Sequence, residues 1–150
     1  MKWNIKKFQD LNVEELYEIC KARYEVFACE QRVFQENDLD DVDKDVYHLF
    51  LEDKGIIAAY ARLIPGGIKY DGATIGRVLV LKEYRRRGIA TELLKRGIDF
   101  MQNSLYEKEI VISAQFYAKD LYEAVGFKVI SDIYQEVDIP HVKMKLVKAL

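Results

Sequence analysis

The chain has 150 residues, of which half are hydrophobic and 12% are aromatic, so it can build a packed core, and intrinsic disorder is not expected. Lys and Arg number 23 against 25 Asp and Glu, and the resulting net charge of -2 argues against a general nucleic-acid binder. Two cysteines, without metal-ligand spacing, predict neither a disulfide framework nor a metal site.

Neither a targeting segment nor a membrane span is predicted. The opening residues, MKWNIKKF, lack the apolar stretch of a signal peptide. No apolar run approaches the roughly 20 residues that a transmembrane helix needs. We therefore expect one domain over residues 1–150, located in the cytoplasm. It would be a monomer or a homodimer, because the last predicted strands could pair at their edges.

The first half of the chain predicts a strand, a helix and a hairpin. Residues 2–8 alternate as a strand does. Asn12 and Glu15 are spaced for a capping box at the start of a helix. An acidic segment, residues 35–45, is interpreted as a loop, and Lys54-Gly55 is the predicted turn of a hairpin. The predicted buried stripe of the helix is Leu16, Ile19, Cys20 and Tyr24.

The second half predicts a strand over residues 74–81, a helix over 88–102 and a nearly continuous apolar strand over 109–115. A short helix ending at Gly126 and two final strands follow. This order predicts a mixed α/β fold, with a parallel strand–helix–strand unit in the second half.

Between the strand predicted over residues 74–81 and the next helix lie three arginines, Arg85, Arg86 and Arg87. Gly88 comes directly after them. Amides at a helix N-terminus are unpaired and carry a partial positive charge. A glycine there lets an anion approach the main chain. The pattern therefore predicts an anion site, with a surface arginine run that only caps the helix as the alternative.

The segment VLVLKEYRRRGIATELL resembles the acyl-CoA-binding signature of GNAT N-acetyltransferases. That signature is Gln or Arg, two residues, Gly, one residue, then Gly or Ala, and it follows an apolar strand and opens a helix. Arg85, Gly88 and Ala90 occupy its three specified positions.

A second signature of the same family is a tyrosine four residues before Gly-Phe, and Tyr122, Gly126 and Phe127 match it. Two signatures in the right order are more specific than either alone. Further stretches resemble the ElaA-like branch of this superfamily: RYEVFACEQ (residues 23–31), YARL (60–63), IGRV (75–78) and IPHVKM (139–144).

The resemblance implies a GNAT-like fold, with a central mixed β-sheet flanked by helices and two splayed parallel strands forming a coenzyme A cleft. It also implies acetyl-CoA as the cosubstrate. Main-chain amides after the signature arginine would hold the diphosphate, and the preceding strand would pair with the pantetheine arm. The implied cofactor-binding residues are Leu79, Val80, Arg85, Arg86, Arg87, Gly88, Ile89, Ala90 and Thr91.

The resemblance makes Tyr122 the candidate acid that protonates the leaving thiolate, because a phenol is protonated at neutral pH. The usual family glutamate has no counterpart in TIGRV, so Glu30 is the first candidate for the base. His48 and His141 are the other candidates, with a structural role as the alternative.

On the acceptor side, the carboxylates of residues 36–45 either draw a cationic amine or form a solvated loop. The apolar segments also contain three arginines, Arg23, Arg62 and Arg77. These either pair internally or bind a carboxylate on the acceptor. If both binding ideas hold, the acceptor carries an amine and a carboxylate. Cys29 is interpreted as a small packed thiol rather than a covalent acyl carrier. The predicted substrate-binding residues are Arg23, Gln31, His48, Arg62, Arg77 and His141.

The leading hypothesis is thus an acetyl-CoA-dependent N-acetyltransferase that acts on a small or peptidic amine, with no nucleic-acid or membrane partner. A non-catalytic acyl-CoA-binding protein is the first alternative. Acyl-homoserine-lactone synthases share the fold and a segment like RYEVF. The tryptophan that usually follows is missing here, since Trp3 is the chain's only one.

Overall fold

The computed structural model describes residues 1–149, in which eight β-strands and three α-helices follow one another. They are β1 (Lys2–Lys7), α1 (Val13–Arg23), β2 (Tyr47–Asp53), β3 (Ile56–Ile64), β4 (Thr74–Val80), α2 (Ile89–Asp99), β5 (Glu109–Gln115), α3 (Lys119–Ala124), β6 (Lys128–Val129), β7 (Tyr134–Glu136) and β8 (Ile139–Val147).

The strands form two antiparallel sheets. The first has the order β1-β2-β3-β4, and in the second β8 pairs with β5 along one edge and with β6 and β7 along the other. The sheets are joined by one parallel bridge between Ala73 and Ile110, where the Val111 N–H donates to the Ala73 carbonyl (3.1 Å). The predicted α/β class is confirmed, and the parallel relation of β4 and β5 is limited to this bridge.

Helix α1 begins with the predicted capping box. The Glu15 N–H donates to Asn12 Oδ1 (2.7 Å), and the Asn12 N–H donates to Glu15 Oε1 (2.9 Å). The predicted stripe was wrong at Leu16 and Tyr24, which are exposed. The buried residues of α1 are Glu15, Ile19, Ala22 and Arg23. Two of them, Glu15 and Arg23, are charged and paired, and hydrophobic periodicity does not detect such residues.

Helix α2 packs over the first sheet with a strongly amphipathic sequence. Leu93 and Leu94 are fully buried, as predicted. Gly97 lies so close to the sheet that an added Cβ would stand 3.1 Å from a methyl group of Leu63. This close contact holds the C-terminal part of α2 against the first sheet.

The C-terminal region contains three strands where two were predicted. Tyr134 pairs with His141 and Glu136 with Ile139, across a turn formed by Val137 and Asp138. Both turn residues have positive φ, 48° and 62°, which is a strained conformation for a β-branched valine. None of the helices in residues 1–149 combines the length and the apolar character that a membrane crossing requires.

Candidate functional site

Beyond the bridge at Ala73, strands β4 and β5 separate and a cleft of about 1200 Å³ opens between them. Its walls come from β4, β5, α3, the β7–β8 hairpin, the π-helical turn Tyr24–Glu30 that follows α1, and Gln31 at the end of this turn. This volume exceeds the range of roughly 300–1000 Å³ that is typical of pockets for drug-sized ligands.

Six consecutive main-chain amides, those of residues 86–91, have no hydrogen-bond acceptor within residues 1–149, and we call this segment the amide turn. Before it, the Arg85 N–H donates to the Lys82 carbonyl (3.3 Å), and after it the Glu92 N–H donates to the Gly88 carbonyl (3.2 Å). Unpaired amides at the positive end of a helix are suited to bind an anion, a diphosphate among them.

The backbone conformation at position 88 of the amide turn favours glycine over any other residue. Its φ is +75°, in the left-handed region that side chains disfavour. A Cβ added there would have no atom within 4 Å, so the surrounding protein does not exclude a side chain. Arg86 also has a positive φ, 63°, which keeps successive amides of the turn from entering regular helix bonding.

The predicted strand residues Leu79 and Val80 lie at the end of β4 that faces the amide turn. The Leu81 N–H donates to the Ala58 carbonyl of β3 (2.9 Å). Because peptide groups alternate along a strand, the amide and carbonyl of Val80 point to the other side, into the cleft. The end of β4 therefore offers a main-chain edge to which an extended ligand can add.

The three arginines before Gly88 have different contacts. Arg85 Nε donates to the Val80 carbonyl (2.9 Å), and its two terminal nitrogens donate to Glu30 at 3.0 and 2.9 Å. Arg87 donates to the Glu83 carbonyl (3.1 Å) and lies over the ring of Tyr84. The structure thus joins the predicted base, Glu30, to the predicted cofactor residue Arg85.

Tyr122 lies on α3 and lines the cleft, with 8% of its surface exposed. Its ring packs edge-on against Phe127 (5.9 Å between centroids), and its carbonyl accepts from the Phe127 N–H (3.1 Å). Burial, with a smaller contribution from Tyr117, raises the pKa of Tyr122 above its ordinary value. The hydroxyl is therefore protonated at neutral pH and can donate a proton into the cleft.

A β-bulge interrupts β4 in the middle of the cleft wall. Tyr60 pairs with Leu79 and Arg62 with Gly76, so Arg77 and Val78 together face the single residue between them on β3. Arg77 has a φ of 51°, which bends the strand at this point. A bulge leaves one residue of the strand without a ladder partner, and both Arg77 and Val78 line the cleft.

Two of the predicted substrate-binding arginines are engaged inside the protein. Arg23 and Arg62 are each 1% exposed and share Asp43 Oδ1, at 2.7 and 3.2 Å. Arg23 also bonds to Asp38 (2.9 Å), and Arg62 bonds to both carboxylate oxygens of Asp40 (2.7 and 2.8 Å). Both arginines therefore pair internally, which was one of the two predicted alternatives. Their partners are carboxylates of the acidic segment, residues 35–45.

Arg77 and His48 have internal partners as well. Arg77 lines the cleft, but its Nε lies 2.9 Å from a carboxylate oxygen of Asp38. His48 is fully buried away from the cleft, between the Tyr60 hydroxyl (2.6 Å) and the Asp43 carbonyl (2.8 Å). Burial lowers the pKa of His48, so its ring is neutral and helps to order the buried charges.

Gln31 and His141 both line the cleft. Gln31 exchanges hydrogen bonds with Gln115 (2.9 and 3.3 Å) and so ties the π-helical turn to β5. His141 Nδ1 lies 2.7 Å from the Ile139 carbonyl, which can only accept, so Nδ1 carries the proton. The other ring nitrogen, Nε2, lies 3.5 Å from Glu136 Oε2.

Glu136 was missed in the sequence. It lies in a small polar cluster with His141, Tyr134 and Ser113 on the wall opposite β4. Tyr134 stacks on the His141 ring, and its hydroxyl bonds to Ser113. The detectable signal was the hairpin turn at Val137 and Asp138, which pairs residue 134 with residue 141.

Comparison with known proteins identifies the family. The sequence model of the acetyltransferase (GNAT) domain matches residues 8–148. A UPF0039 protein of Schizosaccharomyces pombe is 39% identical over 143 residues, which cover 94% of this chain and 93% of that protein.

Two solved structures share the fold closely. An acyl-CoA N-acyltransferase from Pseudomonas aeruginosa is 30% identical with a TM-score of 0.90, over 98% of this chain and 100% of that one. Escherichia coli ElaA is 26% identical with a TM-score of 0.89, over 97% and 98% of the two chains. These matches confirm the predicted resemblance: the chain belongs to the GNAT acetyltransferase family, in its ElaA-like branch.

Proposed function

We propose that the protein transfers an acetyl group from acetyl-CoA to an amine acceptor, by direct attack of the amine while both substrates are bound. Membership of the GNAT family supports acyl transfer from an acyl-CoA in general. The observation that carries the specific proposal is the amide turn, whose unpaired donors lie beside the free main-chain edge of β4.

The residues of the cleft fit coenzyme A in chemistry and in order. The amide turn would bind the diphosphate, and Arg85–Arg87 would add positive charge. The Val80 amide and carbonyl would pair with the pantetheine arm as with an added strand. Acetyl-CoA, when bound, would supply the acyl group in activated form as a thioester.

Two groups of the chain would then act on the reaction. A main-chain amide at the bulge of Arg77 and Val78 would donate to the acyl oxygen as negative charge develops there. Tyr122 would donate its proton to the sulfur as the bond from sulfur to the acyl carbon breaks. Its buried, protonated hydroxyl supports this role.

The base that accepts the proton of the amine has two candidates. Glu30 lines the cleft, but both of its oxygens are bonded to Arg85. On the opposite wall, His141 Nε2 lies 3.5 Å from Glu136 Oε2, so a proton taken there would be shared with a carboxylate. The second pair is our preferred base, because no arginine must be displaced to use it.

The acceptor is proposed to be a cation. Glu36, Asp71 and Glu136 line the cleft, and no arginine or lysine pairs with them within residues 1–149. These carboxylates would attract an ammonium group. A carboxylate on the acceptor has less support, because Arg23 and Arg62 are paired internally.

We also predict that the protein is located in the cytoplasm and that it is a monomer or a homodimer.

The proposal is tested by thiol release from acetyl-CoA across a diverse library of amines. We expect amine-dependent release that falls by roughly 100-fold or more in Tyr122→Phe. Coenzyme A affinity should be unchanged in that variant. Tyr106→Phe, at a tyrosine that is 81% exposed, is the matched control and should keep full activity.

Tight coenzyme A binding with no amine-dependent thiol release would instead support the non-catalytic binding protein. The base is assigned separately, from the pH dependence of the rate. In Glu136→Gln and His141→Gln the rate should fall and the acidic limb of its pH profile should change. An unchanged profile in both variants would exclude this pair.

A further inference from the structure

We infer that Arg85 is a positioning residue that couples entry of the cofactor's pantetheine arm to release of the Glu30 carboxylate. The inference rests on the proposed function for the identity of the cofactor. It goes further by assigning a role to one bridge, from Val80 through Arg85 to Glu30, which crosses the cofactor end of the cleft.

The bridge uses three donors of one rigid group. The Arg85 guanidinium bonds to the Val80 carbonyl through Nε, and its two terminal nitrogens each bond to one oxygen of Glu30. A guanidinium is planar, so its donors cannot be re-aimed one at a time. Turning Nε away from Val80 therefore also misaligns the two bonds to Glu30.

The ion pair between Arg85 and Glu30 is partly exposed to solvent, so it can break when a ligand binds. The side chains of Arg85 and Glu30 are 40% and 36% exposed, and ion pairs with this exposure contribute little to stability. Arg23 and Arg62, at 1% exposure, form the fixed pairs of the same protein. Arg85 is therefore held in place without being locked there.

The pantetheine arm and Arg85 compete for the same acceptor. The Val80 carbonyl faces the cleft, and an extended ligand that adds to β4 would donate an amide N–H to it. Arg85 Nε already donates to that carbonyl.

The consequence is reciprocal coupling between cofactor and carboxylate. Glu30 lines the cleft and would be free to receive a cationic acceptor only after the arm has displaced Arg85. By linkage, a change that weakens the bond between Arg85 and Glu30 must strengthen cofactor binding. Removing a cleft carboxylate should thus improve the affinity for coenzyme A.

The test is calorimetric titration of Glu30→Gln with coenzyme A. Replacing a partly exposed ion pair predicts an affinity about two- to fivefold higher than that of the wild type. Glu36→Gln is the matched control, because Glu36 lines the same cleft and has no ion pair within residues 1–149. It removes the same charge but leaves the bridge intact, so it should bind coenzyme A less tightly than Glu30→Gln does.

A second ligand separates the bridge from simple charge effects. ADP carrying a 3′-phosphate is the nucleotide half of coenzyme A and lacks the arm that reaches Val80. Its affinity should be equal in Glu30→Gln and Glu36→Gln. If Glu30→Gln binds coenzyme A no more tightly than Glu36→Gln, or improves both ligands equally, the inference is wrong.

A measurement on the wild type covers the case in which a variant is misfolded. The ¹⁵N signal of Arg85 Nε should shift on addition of coenzyme A but not of the nucleotide half. An Nε signal unmoved by saturating coenzyme A would overturn the inference. All these readouts need binding alone, so coenzyme A binding without acyl transfer would refute the proposed enzyme and leave the coupling testable.

Discussion

Replacing Gly88 by alanine should weaken coenzyme A binding far more than it destabilises the protein. The left-handed φ of +75° is unfavourable for an L-residue by roughly 1–2 kcal/mol. No atom lies within 4 Å of the added Cβ, so no packing strain is expected. For a chain of this size the melting temperature should fall by about 2–8 °C. The affinity should fall at least about tenfold, since the methyl group would hold the diphosphate away from one or more charge-assisted hydrogen bonds.

Gly55→Ala is the matched control for this prediction. Gly55 forms the turn between β2 and β3, outside the cleft wall, with a φ of +83° and no atom within 4 Å of an added Cβ. Its backbone penalty should equal that of Gly88→Ala, while coenzyme A binds normally. Thermal melts and calorimetric titrations of both variants give the comparison. Equal affinities in the two variants would refute the role of the amide turn in binding the diphosphate.

Three further outcomes are expected. Tyr122→Phe should lower the maximal rate without changing the KM for acetyl-CoA, as steady-state kinetics would show; a rise in KM alone would contradict the acid role. Asp43→Asn should destabilise the protein by about 3–5 kcal/mol in urea unfolding, because it leaves buried arginines under-compensated, whereas the exposed Asp45→Asn should have little effect. Burial opposes ionisation of Asp40, but its bonds to Arg62 prevail and lower its pKa to about 2. Because this pKa is below that of the unfolded chain, the stabilisation is present above about pH 4 and is lost as the pH falls towards 2. Solvent screens this partly exposed pair, so the wild type should lose about 1 kcal/mol more stability than Asp40→Asn over that interval. Parallel curves of unfolding free energy against pH for the two proteins would refute this.

Local signals in the sequence were sufficient for most of the fold. The capping box at Asn12, the hairpin turn at Gly55 and the apolar stripe of α2 each specify an element through nearest neighbours. The buried face of α1 was not predictable in this way. Glu15 and Arg23 lie inside because Lys6 and Asp43, distant in sequence, supply their counter-charges.

The candidate site likewise has one part that local sequence predicted and another that depends on tertiary contacts. The amide turn is contiguous in sequence, so its glycine and arginines indicated it directly. The cluster of Ser113, Glu136 and His141 depends on the pairing of three strands. Its turn uses Val137 with positive φ instead of the usual Asn-Gly, so the residue types did not fix the register of the hairpin. The ion pairs of Glu30 with Arg85 and of Arg77 with Asp38 likewise depend on how segments distant in sequence come together.

The most direct test of the account is a crystal structure of the protein with coenzyme A. The account predicts that the diphosphate oxygens lie within about 3.2 Å of main-chain amides in residues 86–91. The pantetheine arm should run between β4 and β5 and bond to the main chain of Val80. A coenzyme bound outside this cleft, or a diphosphate held only by arginine side chains away from the amide turn, would contradict it.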